Sequence, residues 1–465
     1  MSDSANWTAG RRNCALIAGR VLIILVAAGR PVAPLLGAEH VIHISVDGLQ
    51  PSYLQEIINA GNAPNFKRFQ TEGAWTNHAR TDYTHTITLP NHTSMMTGRP
   101  VLPPTVASAM THHGYTNDGD PPASETLHNF TDPDWYKASS FDVAHDAGLS
   151  TALYASKFKL IIYEQSYNAA NGADHPNGRD KIDAFANPES SATMQGQLLA
   201  GLTANHFNYT FIHYADPDDA GHSTGWGSPT WRNAVITVDG YLGQLFNLVT
   251  TDSTFAGRTA IVLSADHGGE GTENSTASNV NNYSIPFYAW GAGVSAGDIY
   301  SFNNGERTNP GTSRPDYNSL GQPIRNGDSG NLAVFLLGLD AIPGSLMNSN
   351  HTMRVAMSGD YNVDNSVDSD DLGVWRANFG HAHHAHRELG DDNGDHDVDG
   401  ADFLAWQRQV GAPASDVPNG QVPEPATLTL MVLAAAGWRL RRRRLAEKVP
   451  VTRQRRDTRQ QPTVC

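Results

Sequence analysis

Three segments of the chain share one pattern, a nearly unbroken run of β-branched, aromatic and aliphatic residues that ends in an acid. They are Val41-Ile42-His43-Ile44-Ser45-Val46-Asp47, Tyr209-Thr210-Phe211-Ile212-His213-Tyr214-Ala215-Asp216 and Thr259-Ala260-Ile261-Val262-Leu263-Ser264-Ala265-Asp266. Runs without polar alternation read as strands buried on both faces of a mostly parallel sheet. Helical patterns fall between them, at 64–72, 141–147 and 233–249, the last with apolar Ala234, Val235, Val238, Tyr241, Leu242, Leu245 and Phe246. This alternation predicts an α/β domain over residues 39–357, a mostly parallel central sheet flanked by helices. Ligands of such sheets bind at the carboxyl ends of the strands. The acids that close the three runs are therefore expected to converge on one site. Gly- and Asn-rich stretches at 168–178, 268–282 and 302–330 read as loops.

The texture changes at Gly359. Asp360, Asn362, Asp364, Ser366, Asp368 and Asp371 recur 31 residues later as Asp391, Asn393, Asp395, Asp397, Asp399 and Asp402, each set followed by an aromatic helical pattern (Trp375, Phe379; Phe403, Trp406). Oxygen donors at loop positions 1, 3, 5, 7, 9 and 12 suit calcium wrapped by a twelve-residue loop. Residues 358–412 resemble the duplicated calcium loops of dockerin modules, which implies a small α-helical module, bound calcium and a cohesin-like protein partner. Position 6, where the chain turns sharply, is Asn365 in the first loop and His396 in the second. His tolerates that backbone less well than Asn, so the second loop is expected to be the weaker. His381, His383, His384 and His386 lie between the loops and read as a polar linker.

The body of the chain is acidic. Within a total charge of −15, the first 38 residues carry a net +3 and residues 423–465 a net +7, leaving −25 between them. Such a body excludes nucleic acid as a scaffold partner and suits divalent cations. With 39% hydrophobic and 17% charged residues, the composition is that of a globular protein with a large core, not a disordered or multi-span chain. The only cysteines, Cys14 and Cys465, sit near the two ends, so transition-metal chemistry must use imidazole and carboxylate. Arg11-Arg12 followed by the apolar run 14–37 reads as an export signal over residues 1–38. After a linker at 413–422, Val422-Pro423-Glu424-Pro425, an apolar segment at 426–438 and Arg439 with Arg441 to Arg444 resemble the PEP-CTERM sorting signal of exported bacterial proteins. The signal spans 423–444 and precedes a basic tail at 445–465. Its apolar stretch is shorter than the roughly 20 residues of a permanent span, which implies transient anchoring. The expected location is periplasmic, cell-surface or extracellular.

Four fragments of the α/β domain carry candidate chemistry: Ser45-Val46-Asp47-Gly48, Thr88-Leu89-Pro90-Asn91-His92, Asp218-Asp219-Ala220-Gly221-His222 and Asp266-His267-Gly268-Gly269. Asp and His at these spacings form an N/O donor set suited to zinc or a similar cation. In this order the fragments resemble the type I phosphodiesterase/nucleotide pyrophosphatase branch of the alkaline phosphatase superfamily, whose nucleophile motif is Thr-Phe-Pro-Asn-His. The resemblance implies an alkaline phosphatase-like fold and two divalent metal ions, zinc first and manganese as the alternative. Asp47, Thr88, Asp266 and His267 would hold the ion that activates the nucleophile, and Asp218 and His222 the ion that activates water. Thr88 would attack a phosphate ester and carry the phosphoryl group. Asn117, in His113-Gly114-Tyr115-Thr116-Asn117, would donate a hydrogen bond to a phosphoryl oxygen. Lys157 and Lys159 resemble the Lys-x-basic pair with which related phosphomonoesterases hold a dianion, and would tilt the substrate towards monoesters.

One departure stands out. Relatives supply a third imidazole to the water-side ion, whereas no His follows His267 before His351. Glu270, Glu273, Asn274 and His351 are the available replacements. The departure keeps open a catalytically impaired surface protein that binds through its calcium module. A sulfatase-like ester hydrolase is the remaining alternative, disfavoured because no Cys/Ser-x-Pro-x-Arg context surrounds Thr88.

Overall fold

The computed structural model describes residues 38–104, 111–130, 135–364, 366–382, 385, 387–395 and 397–410. Residues 1–37 of the export signal, Asn365, His383, His384, His386 and His396 lie outside the described residues. So does everything from 411 on, including the linker, the PEP-CTERM-like segment and the basic tail.

Eight strands form a single sheet in the order β4-β3-β5-β1-β6-β7-β2-β8. They are β1 (His40–Val46), β2 (Ala74–Arg80), β3 (Thr151–Ala155), β4 (Ala184–Ala186), β5 (Tyr209–Tyr214), β6 (Thr259–Ser264), β7 (Ser284–Gly291) and β8 (Gly297–Asp298). Strands β4, β3, β5, β1 and β6 run parallel, while β7 is antiparallel to both β6 and β2. The three acid-terminated runs are thus the three central strands, and every residue of β1, β5 and β6 is buried. Helices on both faces cover the sheet, which is why these strands lack polar alternation. The helices at Pro51–Asn59, Pro64–Glu72, Ser191–Asn205 and Pro229–Thr251 pack together on one face; those at Thr88–Thr97, Ser140–Asp146 and Asp328–Leu336 pack on the other.

Register fixes where the strands end. Ser45 on β1 stands opposite His213 on β5 and Ser264 on β6, so all three chains leave the sheet at one level. One expected acid differs. After β5 a helix begins at Asp216 and runs to Thr224, with Pro217 in its first turn. Asp216 lies beside Tyr214 and Tyr241, and the acid that this segment delivers to the cluster is Asp218.

Beyond the sheet, the helices Ser369–Asn378 and Gly400–Gln409 repeat one design. Asp368 and Asp399 cap them, each in a capping box with Asp371 or Asp402. The Asp371 carboxylate accepts from the amides of Tyr361 and Asn362, and Asp402 accepts from those of Asp392 and Asn393. Ala385, Leu389 and Val398 form a small core of their own. Asp392 ties the pair to the sheet domain: its carboxylate accepts from the Gly359 amide (2.7 Å) and the Ser358 hydroxyl (2.8 Å), and pairs with Arg354 and Arg387. Among the described residues no helix is long and apolar enough to cross a membrane.

Candidate active site

At the shared carboxyl end of β5, β1 and β6 three carboxylates meet around one imidazole. The Nε2 atom of His267 lies 3.2 Å from Asp266 Oδ2, 3.4 Å from Asp47 Oδ1 and 3.7 Å from Asp218 Oδ1. All four side chains are buried. Each of those three oxygens lacks a hydrogen-bond donor, although each is sealed from water. The other ring nitrogen, Nδ1, sits 2.8 Å from the carbonyl of Gly268. A carbonyl only accepts, so Nδ1 carries the proton, and the Nε2 lone pair faces the Asn274 amide nitrogen at 2.7 Å together with the three carboxylate oxygens. Unpaired buried carboxylates facing a lone pair are costly, and a cation among them reconciles the arrangement. Asp47, Asp266 and His267 bring one donor atom each within 4.8 Å of one another, a spacing that suits a small dication.

The electrostatics divide the acids. Burial opposes charge on Asp47, yet Lys157 and the bond from His213 outweigh it and hold the carboxyl well below its ordinary range. Burial, reinforced by repulsion from Asp47 and Asp218, pushes Asp266 well above that range. Asp266 Oδ1 accepts from the amides of Gly48 (3.1 Å) and His267 (2.9 Å), which aims Oδ2 at the cluster. Gly48 is required here: its φ is +67°, and a Cβ would lie 2.9 Å from the Asp218 Cα.

Thr88 is the first residue of the buried helix Thr88–Thr97. Asn91 fixes the helix start: its amide donates to the carbonyls of His85 and Ile87, and its oxygen accepts from Asp82 N and Asn326 Nδ2. His92, one turn in, joins the Thr88 backbone to the cluster, with Nδ1 2.8 Å from the Thr88 carbonyl and 3.5 Å from Asp266 Oδ2. The cap residue Ile87 offers no side-chain acceptor. Asp118 fills that role, taking the Leu89 amide at 2.8 Å. Asn117, expected at the phosphoryl oxygen, bonds within its own loop: its Nδ2 donates to Glu125 and its oxygen accepts from Gly119 N.

Both lysines are engaged by acids. Lys157 Nζ lies 2.8 Å from Asp47 Oδ2, 2.6 Å from Asp218 Oδ2 and 3.7 Å from Asp219. Burial works against its charge, but these carboxylates raise its pKa well above the ordinary lysine value. Lys159 Nζ lies 3.1 Å from Asp118 Oδ2. His222 is about half exposed, with Nε2 3.4 Å from Asp218 Oδ1 and Nδ1 against the Thr272 carbonyl. Of the residues that could replace a third imidazole, Asn274 is the buried one, and its side-chain Nδ2 lies 2.7 Å from His267 Nε2 as a donor. Glu270 and Glu273 are exposed on the loop, and His351 packs on Phe335 near Gly394.

Two contributors carried no sequence signal as site residues. His213, the fifth residue of β5, places Nε2 3.0 Å from Asp47 Oδ2 and stacks edge-on against His92. Asp118 was masked by the Asn beside it.

Similar solved structures include murine ectonucleotide pyrophosphatase/phosphodiesterase 5, 15% identical over 65% of this chain and 96% of that chain, with a TM-score of 0.43. Wild-type alkaline phosphatase PafA is 13% identical over 67% and 98%, TM-score 0.46. An alkaline phosphatase superfamily protein from Vibrio parahaemolyticus is 13% identical over 67% and 70%, TM-score 0.42. Residues 421–444 match the PEP-CTERM protein-sorting motif. Residues 41–360 match the model of the type I phosphodiesterase/nucleotide pyrophosphatase family, and the chain belongs to that family.

Proposed function

We propose that this protein is an exported, metal-dependent phosphoric ester hydrolase in which Thr88 is the nucleophile. The observation that carries the reading is the set of three buried, unpartnered carboxylate oxygens around His267 Nε2, joined to Thr88 through His92. Asp47, Asp266, His267 and Thr88 would hold one dication. Asp218 and His222, with Asn274 in place of a third imidazole, would hold a second. Zinc suits the first set, and an oxygen donor from the Asn274 side chain in the second would shift preference towards a harder ion such as manganese. The dications supply positive charge that makes the Thr88 alkoxide accessible at neutral pH and offsets charge on the phosphoryl group.

The remaining work falls to the chain's own residues. Thr88 opens a helix whose start Asn91 holds through its bonds to the His85 and Ile87 carbonyls, and its hydroxyl would face the cluster. Attack forms the Thr88 oxygen–phosphorus bond as the bond to the leaving alcohol oxygen breaks, and the proton lost by the threonine hydroxyl is matched by the one the leaving alcohol takes up. Water then adds to phosphorus, the threonine oxygen leaves and recovers a proton, and phosphate or a phosphomonoester is released. Lys157 steadies Asp47 and Asp218 throughout, and His213 orients Asp47.

Residues 358–412 would bind calcium through Asp360, Asn362, Asp364, Ser366, Asp368 and Asp371 and through Asp391, Asn393, Asp395, Asp397, Asp399 and Asp402. The support is the twice-repeated spacing and the folding of each loop back onto its last acid. A cohesin-like protein is the corresponding partner. The sorting motif supports export with transient anchoring, to a periplasmic, surface or extracellular location.

The test is hydrolysis of a bis-aryl phosphate and an aryl phosphate by the zinc- or manganese-loaded full chain, against Thr88→Ala. Turnover that disappears in the variant supports the reading. A variant as active as the wild type overturns it.

A further inference from the structure

We propose that Asp118 sets the charge of the ester this site accepts, favouring singly charged diesters over dianionic monoesters. The inference rests on Thr88 being the nucleophile. The first free amide after Thr88, that of Leu89, points out of a helix N-terminus, where an anionic oxygen is favoured. In this chain a carboxylate already occupies the position: Asp118 Oδ1 accepts from Leu89 N at 2.8 Å. Its other oxygen is 3.1 Å from Lys159 Nζ, and both side chains retain some exposure to solvent, 31% and 17%.

The consequence is electrostatic. Lys157 is shared between the buried carboxylates of Asp47 and Asp218, with Asp219 3.7 Å away. Lys159 is matched by Asp118. Neither lysine has charge left over for a second negative charge on phosphate. A phosphoryl group bonded to Thr88 Oγ1 must lie one residue from the amide that Asp118 holds. Any further anionic oxygen therefore meets a like charge within a few ångströms. A diester presents one negative charge there and a monoester two. At an effective dielectric of about 20, one extra charge pair at such range separates the two substrates by roughly tenfold or more, even after partial offset by Lys159.

Asp118→Asn keeps an oxygen for the Leu89 amide and removes only the charge. With the zinc-loaded full chain, we would measure kcat/KM for aryl phosphate and bis-aryl phosphate, and orthophosphate binding by titration calorimetry. Asp118→Asn is expected to raise the monoester-to-diester ratio about tenfold and to tighten orthophosphate binding by a similar factor. Lys159→Gln, which leaves Asp118 unmatched, is expected to shift both quantities the other way. A ratio and an orthophosphate affinity both unchanged in Asp118→Asn overturn the assignment, as does an equal loss of both activities with no gain in affinity. Thr88→Ala separates the two readings. If it leaves both activities intact, the nucleophile is wrong; if it abolishes both while Asp118→Asn moves neither quantity, only the role of Asp118 fails. Should the wild type turn over neither ester, the orthophosphate comparison alone decides.

Discussion

Replacing Lys157 by Met isolates the charge that balances the carboxylate cluster. The lysine stem is mostly buried, at 16% exposure, and its Nζ touches Asp47 and Asp218 at 2.8 and 2.6 Å. Methionine refills much of the stem's apolar volume, so repacking costs no more than about 1.5 kcal/mol. Removing one partner of a buried ion pair leaves uncompensated charge and costs about 3–5 kcal/mol. Here two buried carboxylates lose the same cation, which places the variant at the upper part of that range in metal-free protein. Protonation of one acid limits the loss. A bound dication restores positive charge to the same carboxylates, so added zinc should stabilise the variant more than the wild type. Urea unfolding in EDTA and again at saturating zinc measures both terms. If metal-free Lys157→Met unfolds within about 1 kcal/mol of the wild type, well short of a broken buried pair, the cluster does not depend on a cation.

Three further outcomes follow from the same geometry. Asp266→Asn keeps an oxygen for the Gly48 and His267 amides but removes a donor charge; metal content after dialysis should fall about tenfold or more, since even outer-shell partners carry effects of that size, and equal retention contradicts the site. His43 and His113 are fully buried, and burial lowers both to a pKa of about 3. The folded chain holds them neutral while the unfolded chain binds protons below about 6.5. Stability is therefore fully present above that pH and falls as pH drops towards about 3, by about 2 kcal/mol per histidine at pH 5. Urea unfolding at pH 7.5 and 5 checks the sign. Finally, chelation with EGTA should make residues 358–412 susceptible to limited proteolysis, and calcium should restore protection; cleavage that ignores calcium argues against the loops as calcium sites.

Much of the centre was legible because buried parallel strands are written as continuous apolar runs, and an acid that ends such a run falls at the carboxyl edge of the sheet. Asp47 and Asp266 were readable on that basis, and His267 through the family motif that follows Asp266. Asp218 came from the family motif rather than from the apolar run, which ends at Asp216, where the helix that carries Asp218 begins; what escaped is Asp118, beside the expected Asn117. Lys157 was expected at the phosphate from its Lys-x-basic resemblance, and its pairing with buried carboxylates was not legible. Its partners Asp47 and Asp218 lie 110 and 61 residues away, and only the packed sheet brings them together. His213 sits inside a strand where a polar residue usually faces the core for packing, and its pairing level with Ser45 is what turns it to Asp47. Asn274 was among several replacements for a third imidazole, and burial of that loop position alone separates it from Glu270 and Glu273.

The central claim is that Thr88 becomes phosphorylated during turnover. Rapid acid quench of the zinc-loaded full chain with a bis-aryl phosphate, followed by peptide mass spectrometry, tests it directly. The account predicts a phosphoryl group on the peptide that contains Thr88, absent without metal and absent in Thr88→Ala. Turnover with no phosphorylated threonine at that position, and undiminished in Thr88→Ala, would contradict it.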